Sequence, residues 1–196
     1  MVGRKDWVLW GTKIVGRMLM SLSFCLERNG IENLPKKSAF ILLPKHQRWV
    51  DIPLLGLATP RPLYYIAKHE LFRNSLSNWF IRSLGGIPLN RKRPLESRGS
   101  IKAMVEFLEK GEGVVIFPEG TYFRNAMGPG HTGIVRYVIS RLTLPFIPVG
   151  INYSGKGFRT LVRINFGKPI YTHSEISANI FLDDIMKEIA QLSGLS

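Results

Sequence analysis

Ala39-Phe40-Ile41-Leu42-Leu43-Pro44-Lys45-His46-Gln47-Arg48-Trp49-Val50-Asp51 is the stretch whose reading decides the fold. Its first half is an apolar run with the length of a buried strand. Its second half turns polar at once and leads into Asp51-Ile52-Pro53, which opens a helix. The layout recurs downstream, where Val114-Val115-Ile116-Phe117 runs into Pro118-Glu119-Gly120-Thr121. In open α/β sheets ligands collect where strands end in polar turns, so both turns are places for chemistry.

Outward from this stretch the pattern alternates. Strands are expected near 39–44, 62–66, 86–89, 113–117, 146–150 and 161–166. Helices are expected near 51–59, 69–83, 97–110, 131–142 and 175–192. Pro60 ends the first of these helices, and Lys110-Gly111 puts a cation and then a glycine at the end of the third. Strands alternating with helices predict a single α/β domain with a mostly parallel central sheet flanked by helices. Ser154-Gly155-Lys156-Gly157 lies in a turn between two late strands, which predicts an antiparallel edge.

Residues 7–26 read as an N-terminal amphipathic helix. Trp7, Trp10, Ile14, Val15, Met18, Leu19, Leu22, Cys25 and Leu26 recur at helical spacing, with Lys13, Arg17 and Ser21 on the other face. Lys13 and Arg17 break the apolar run too early for an ordinary membrane span. A basic face opposite Trp, Leu and Met suits a helix lying in a membrane interface; packing on the domain is the other reading. The expected division is 1–28 for this helix and 29–196 for the folded domain.

At 196 residues the chain has room for one sizeable core. Its formal net charge of +13 calls for an anionic partner. The basic residues are dispersed and no zinc-ligand spacing or RNA-binding aromatic signature occurs, so nucleic acid is not expected and an anionic membrane surface or acidic substrate is. Cys25, the one cysteine, excludes an internal disulfide. His69-Glu70 lacks a second histidine four residues on, which excludes a zinc-protease helix; no metal site is expected.

His46 and Asp51 stand five positions apart, too far for a helical i,i+4 pair. A turn leading into a helix brings them together. The carboxylate then accepts a hydrogen bond from one ring nitrogen and leaves the other as a base. A capping aspartate beside an unrelated loop histidine is the other meaning of the same spacing.

Four ordered segments carry a resemblance. His46-x4-Asp51, Gly86-Ile87-Pro88-Leu89-Asn90-Arg91, Phe117-Pro118-Glu119-Gly120-Thr121 and Leu144-Pro145-Phe146-Ile147-Pro148-Val149-Gly150 look like the four sequence blocks of the glycerophospholipid acyltransferase family. The resemblance covers about 30–155 and makes 29–196 an acyltransferase domain. It implies direct acyl transfer from acyl-CoA or acyl carrier protein to the free hydroxyl of a lysophospholipid, foremost 1-acyl-glycerol-3-phosphate. It implies His46 as general base and Asp51 as its orienting partner. Lys68, Arg91, Glu119, Gly120 and Thr121 are implied as acceptor-binding residues; Glu119 as a structural ion-pair partner, and Lys68 and Arg91 as solvated surface cations, are the other readings. The partners implied are a membrane lipid and the donor thioester, with no cofactor besides that donor. The expected location is the cytoplasmic face of a membrane, peripheral or monotopic. The absence of a Gly-x-Ser-x-Gly elbow agrees with transfer that forms no acyl-enzyme.

Two positions depart from the family pattern. Tyr122 stands where members acting on phosphate-bearing acceptors usually have Arg, and His131 where Lys is common. Both remove positive charge, which leaves acylation of a different lysolipid or a non-phosphate hydroxyl as the alternative. A non-catalytic basic lipid-binding protein is the alternative of another class. Trp49, Leu54, Leu55, Trp79 and Phe80 are candidates for either an acyl channel or the core.

Overall fold

The computed structural model describes residues 3–90, 93–172 and 177–195. Helix α1 spans Asp6–Ser23 and runs directly into strand β1, Phe24–Asn29. Then follow β2 (Phe40–Pro44), α2 (Asp51–Ala58), β3 (Leu63–Lys68), α3 (Ser75–Ser83) and β4 (Gly86–Leu89). The second half holds α4 (Arg98–Glu109), β5 (Gly113–Val115), α5 (Gly133–Ile139), β6 (Phe146–Lys156), β7 (Arg159–Phe166) and α6 (Ala178–Leu192).

The strands form one seven-stranded sheet in the order β1-β7-β6-β2-β5-β3-β4. Every neighbouring pair is parallel except the β6–β7 hairpin. The single α/β domain and the mostly parallel sheet agree with expectation. β2 lies in the middle because both its faces are covered. Ile41 and Leu43 pack with Met104, Val135, Val138, Leu182 and Ile185 of α4, α5 and α6. Phe40 and Leu42 pack with Leu54, Leu55 and Ala58 of α2 on the opposite face. A strand covered on both sides must be apolar throughout, and 40–44 is fully buried.

Three expectations need correction. The first helix stops at Ser23 rather than Leu26, and Phe24–Asn29 pair in register with Thr160 to Asn165 of β7. Leu22, Cys25 and Leu26 satisfy helical spacing, but Phe24 and Leu26 satisfy a period of two, and pairing with β7 decides between them. A boundary at 28/29 would therefore cut through a strand of the sheet. The antiparallel hairpin is present, yet β7 is not the edge, because β1 lies outside it. Finally, 69–83 is not one helix: a 3-10 turn, His69–Phe72, precedes α3. The Asn74 side chain accepts from the backbone N–H of Leu76 at 2.8 Å, which starts α3 anew.

Helix α1 lies against the domain with its smaller side chains inward. Val8 and Leu9 are buried, and Lys13 Nζ donates to the carbonyl of Thr59 at 3.2 Å. Its large apolar residues point away: Trp7, Ile14, Met18 and Leu22 are between 63% and 75% exposed. No helix among the described residues is long and apolar enough to cross a membrane.

Tyr65 of β3 is an anomaly of the interior. Its hydroxyl is buried without a hydrogen-bond partner among the described residues, and burial pushes the phenol well above its usual range. Leaving such a group unpaired costs about 1–3 kcal/mol. Tyr65→Phe is therefore expected to unfold at equal or higher denaturant concentration than the wild type; a lower midpoint would show that the hydroxyl has a partner.

Candidate active site

The site forms where β2 ends. β2 delivers Lys45 and His46 into a tight turn that closes on Asp51, the first residue of α2. Asp51 is fully buried and holds the turn shut. Its Oδ2 accepts the backbone N–H of Gln47 at 2.6 Å and of Arg48 at 2.7 Å. The same oxygen lies 3.1 Å from His46 Nδ1. A carboxylate can only accept here, so Nδ1 carries a proton, and in the neutral ring the lone pair is on Nε2. Tyr153 of β6 donates its hydroxyl to the other oxygen, Oδ1.

The imidazole is fixed from the sides as well. Phe117 stacks on it with centroids 3.8 Å apart, and Tyr122 meets it edge-on at 4.4 Å. His46 and Asp51 are thus brought together as the spacing predicted.

The turn is knit to the Phe117–Gly120 loop by a buried ion pair. Lys45 Nζ reaches Glu119 at 2.7 Å and the carbonyl of Phe123 at 2.8 Å. Glu119 also accepts from the backbone N–H of His46 at 3.0 Å and of Gly128 at 2.8 Å. All of these contacts face inward. Of the two readings of Glu119, the structure forms the ion pair, with the side chain buried rather than on the cavity wall. A buried carboxylate needs a cation and donors around it, and it has them in Lys45 and two amides. Gly120 follows with φ +70°, a left-handed turn that favours glycine.

Beside the ring opens a cavity of about 460 Å³. Its walls come from α1, α2, β3, α3 and the loop after β5, and they are largely apolar: Leu9, Ile52, Leu57, Ile66, Phe80 and Phe117 among them. Lys68, Gly120 and Thr121 line it, as does Tyr122. Arg91 lies outside the described residues. Phe80 is the only one of the five channel candidates on the wall; Leu54 and Leu55 belong to the core, Trp49 is largely exposed, and Trp79 packs beside Trp7.

Three contributors escaped the sequence reading. Lys13 of α1 lines the cavity, where burial and nearby Arg17 lower its pKa. Lys45 and Tyr153 support the histidine turn from behind. Lys45 had no signal beyond its place next to His46. Tyr153 continues the alternation Val149, Ile151, Tyr153 on the α2 side of the sheet, a pattern visible only once β6 is known to extend so far.

The family model for acyltransferases matches residues 25–152. The 1-acyl-sn-glycerol-3-phosphate acyltransferase of Bacillus subtilis is 37% identical over 106 residues, covering 54% of this chain and 52% of its own length. That of Streptococcus pneumoniae is 29% identical over 161 residues, covering 80% of this chain and 60% of its own. The chain thus spans only about half the length of the curated relatives it matches. Among solved structures, the 1-acyl-sn-glycerophosphate acyltransferase PlsC from Thermotoga maritima superposes with a TM-score of 0.70 at 24% identity, covering 95% of this chain and 80% of that one. That likeness establishes a shared fold. Since the family model takes in both the histidine turn and the Glu119 loop, the chain belongs to the acyltransferase family.

Proposed function

We propose that the protein transfers a fatty acyl group from a thioester, acyl-CoA or acyl carrier protein, to the free hydroxyl of a lysophospholipid. The observation that carries this reading is His46, oriented by Asp51, beside an apolar cavity that also holds Lys68 and Lys13. The cavity accepts acyl chains and the two cations attract an anionic head.

His46 Nε2 takes the hydroxyl proton as the oxygen attacks the thioester carbonyl carbon. Asp51 stabilises the imidazolium through Nδ1. Collapse of the tetrahedral intermediate breaks the carbon–sulfur bond, and the proton passes from His46 to the departing sulfur. Ester and free thiol are the products, and no covalent enzyme intermediate forms.

The acceptor proposed is 1-acyl-glycerol-3-phosphate, as the relatives' names suggest. Tyr122 favours one second reading: beside His46 it offers a single hydroxyl where an arginine would offer a charged fork. A different lysolipid is the alternative acceptor. Thiol release measured over a panel of lysolipids, with product masses determined, tests both. No thiol release with any acceptor would reject the enzymatic reading.

We further propose that α1 seats the protein peripherally on an anionic membrane, on the cytoplasmic face where its donors occur. Support comes from the outward Trp7, Trp10, Ile14, Met18 and Leu22 together with the net charge of +13. Replacing Trp7, Trp10 and Met18 by Ser is expected to weaken vesicle binding by at least about 100-fold, since each buried side chain is worth about 1.5–3 kcal/mol. Unchanged co-sedimentation with anionic vesicles would reject that seat.

A further inference from the structure

We propose that Tyr153 is a positioning residue for the His46–Asp51 pair, fixing the carboxylate so that one oxygen serves the imidazole. The proposal rests on the assignment of His46 as the base.

Asp51 has two oxygens with different duties. Oδ2 receives His46 Nδ1 and the amides of Gln47 and Arg48. Oδ1 receives the Tyr153 hydroxyl. Without that donor, Oδ1 would be a buried anionic oxygen with no hydrogen bond among the described residues. The Tyr153 hydroxyl satisfies that oxygen and leaves Oδ2 to the imidazole and the two amides.

Tyr153 is itself held firmly. β6 runs beyond the end of β2, which stops at the register pair Pro44–Val149. In that overhang Gln47 Nε2 donates to the carbonyl of Ile151 at 2.7 Å, and Tyr153 stands opposite Val162 of β7. The Arg48 guanidinium covers its ring at 4.5 Å. A phenylalanine would fill the same space between the same neighbours. The hydroxyl adds one thing only, its bond to Asp51, so packing does not account for it.

The bond also has a direction. Burial, and then the adjacent Asp51 charge, push the Tyr153 phenol far above its ordinary range, so it stays protonated and donates at every working pH. A donor on Oδ1 draws negative charge toward that oxygen and away from Oδ2. Asp51 thus holds the imidazolium less tightly than a bare carboxylate would. The consequence is a base that can return its proton to the leaving sulfur. The other charged and titratable groups around the pair are Arg48 on the Tyr153 ring, Tyr122 at the His46 edge, Lys13 and Lys68 on the cavity, and the Lys45–Glu119 pair behind the turn. None of them bonds to either oxygen of Asp51 through its side chain.

The test is Tyr153→Phe in the full chain. Thermal unfolding checks that the fold is kept. With the hydroxyl removed, Asp51 presses its charge on His46, so the acid limb of the kcat/KM profile moves to higher pH by about half a unit or more. Turnover at neutral pH falls about threefold to tenfold, with KM for donor and acceptor unchanged. A structural role alone would lower stability and leave the limb in place, which would overturn the proposal. The His46 ring resonances, followed against pH by NMR in both proteins, read the same coupling without turnover. Coincident titration curves would also overturn it. Retained turnover in His46→Ala would instead reject the base assignment, so the two failures are told apart.

Discussion

His46→Ala is expected to cut thioester consumption by roughly 10²–10⁴-fold, the usual worth of a positioned general base. The fold should survive. His46 sits at the edge of the cavity, and its loss leaves the backbone bonds from Gln47 and Arg48 to Asp51 intact. Residual activity would come from the cavity and its cations, which still bring hydroxyl and thioester together. Asp51→Asn keeps the shape of the turn and removes the charge, so an intermediate loss is expected. Thiol release at saturating donor, beside an unfolding curve, makes the measurement. Near wild-type turnover in His46→Ala would remove the base from the mechanism.

Lys45→Met is expected to produce the largest loss of stability among single replacements, about 3–5 kcal/mol, because it strands a buried carboxylate. Lys45 and Glu119 have no exposed side-chain surface, and their contact at 2.7 Å joins the histidine turn to the next loop. The two amides from His46 and Gly128 soften the loss without replacing the cation. Lys45→Met combined with Glu119→Gln should recover part of it, and a double-mutant cycle by chemical denaturation measures the coupling. Additive losses would mean that the two side chains do not act as a pair. Turnover should fall in parallel, since both segments touch the imidazole.

The central strand β2 and the edge strand β4 were legible because their residues leave little choice. Phe40–Pro44 and Gly86–Leu89 are strands where expected, and Asp51–Ala58 is a helix that stops before Pro60. The histidine and aspartate were legible for a local reason: both belong to one turn. What escaped depends on distance along the chain. Glu119 reads either as an acceptor residue or as an ion-pair partner until Lys45, 74 positions earlier, is seen to hold it. Tyr153 stands 102 positions from Asp51, and no local pattern links them. β1 escaped because six residues following a helix can satisfy either periodicity until their partner strand is known. The amphipathic character of α1 was legible, but its orientation was not. The stripe that turns inward carries Thr12, Lys13 and Gly16, because the domain offers it a carbonyl and a cavity wall.

That orientation bears on how a greasy substrate travels. Lifting a sixteen-carbon tail through water costs of order 10 kcal/mol, at about 0.8 kcal/mol per methylene. One helix here is at once the floor that would rest among lipid tails and a side of the cavity beside His46. A lysolipid entering beneath it would slide sideways from one oily medium to another and never be wetted. The barrier to loading would then be set by lateral diffusion and chain ordering instead of extraction.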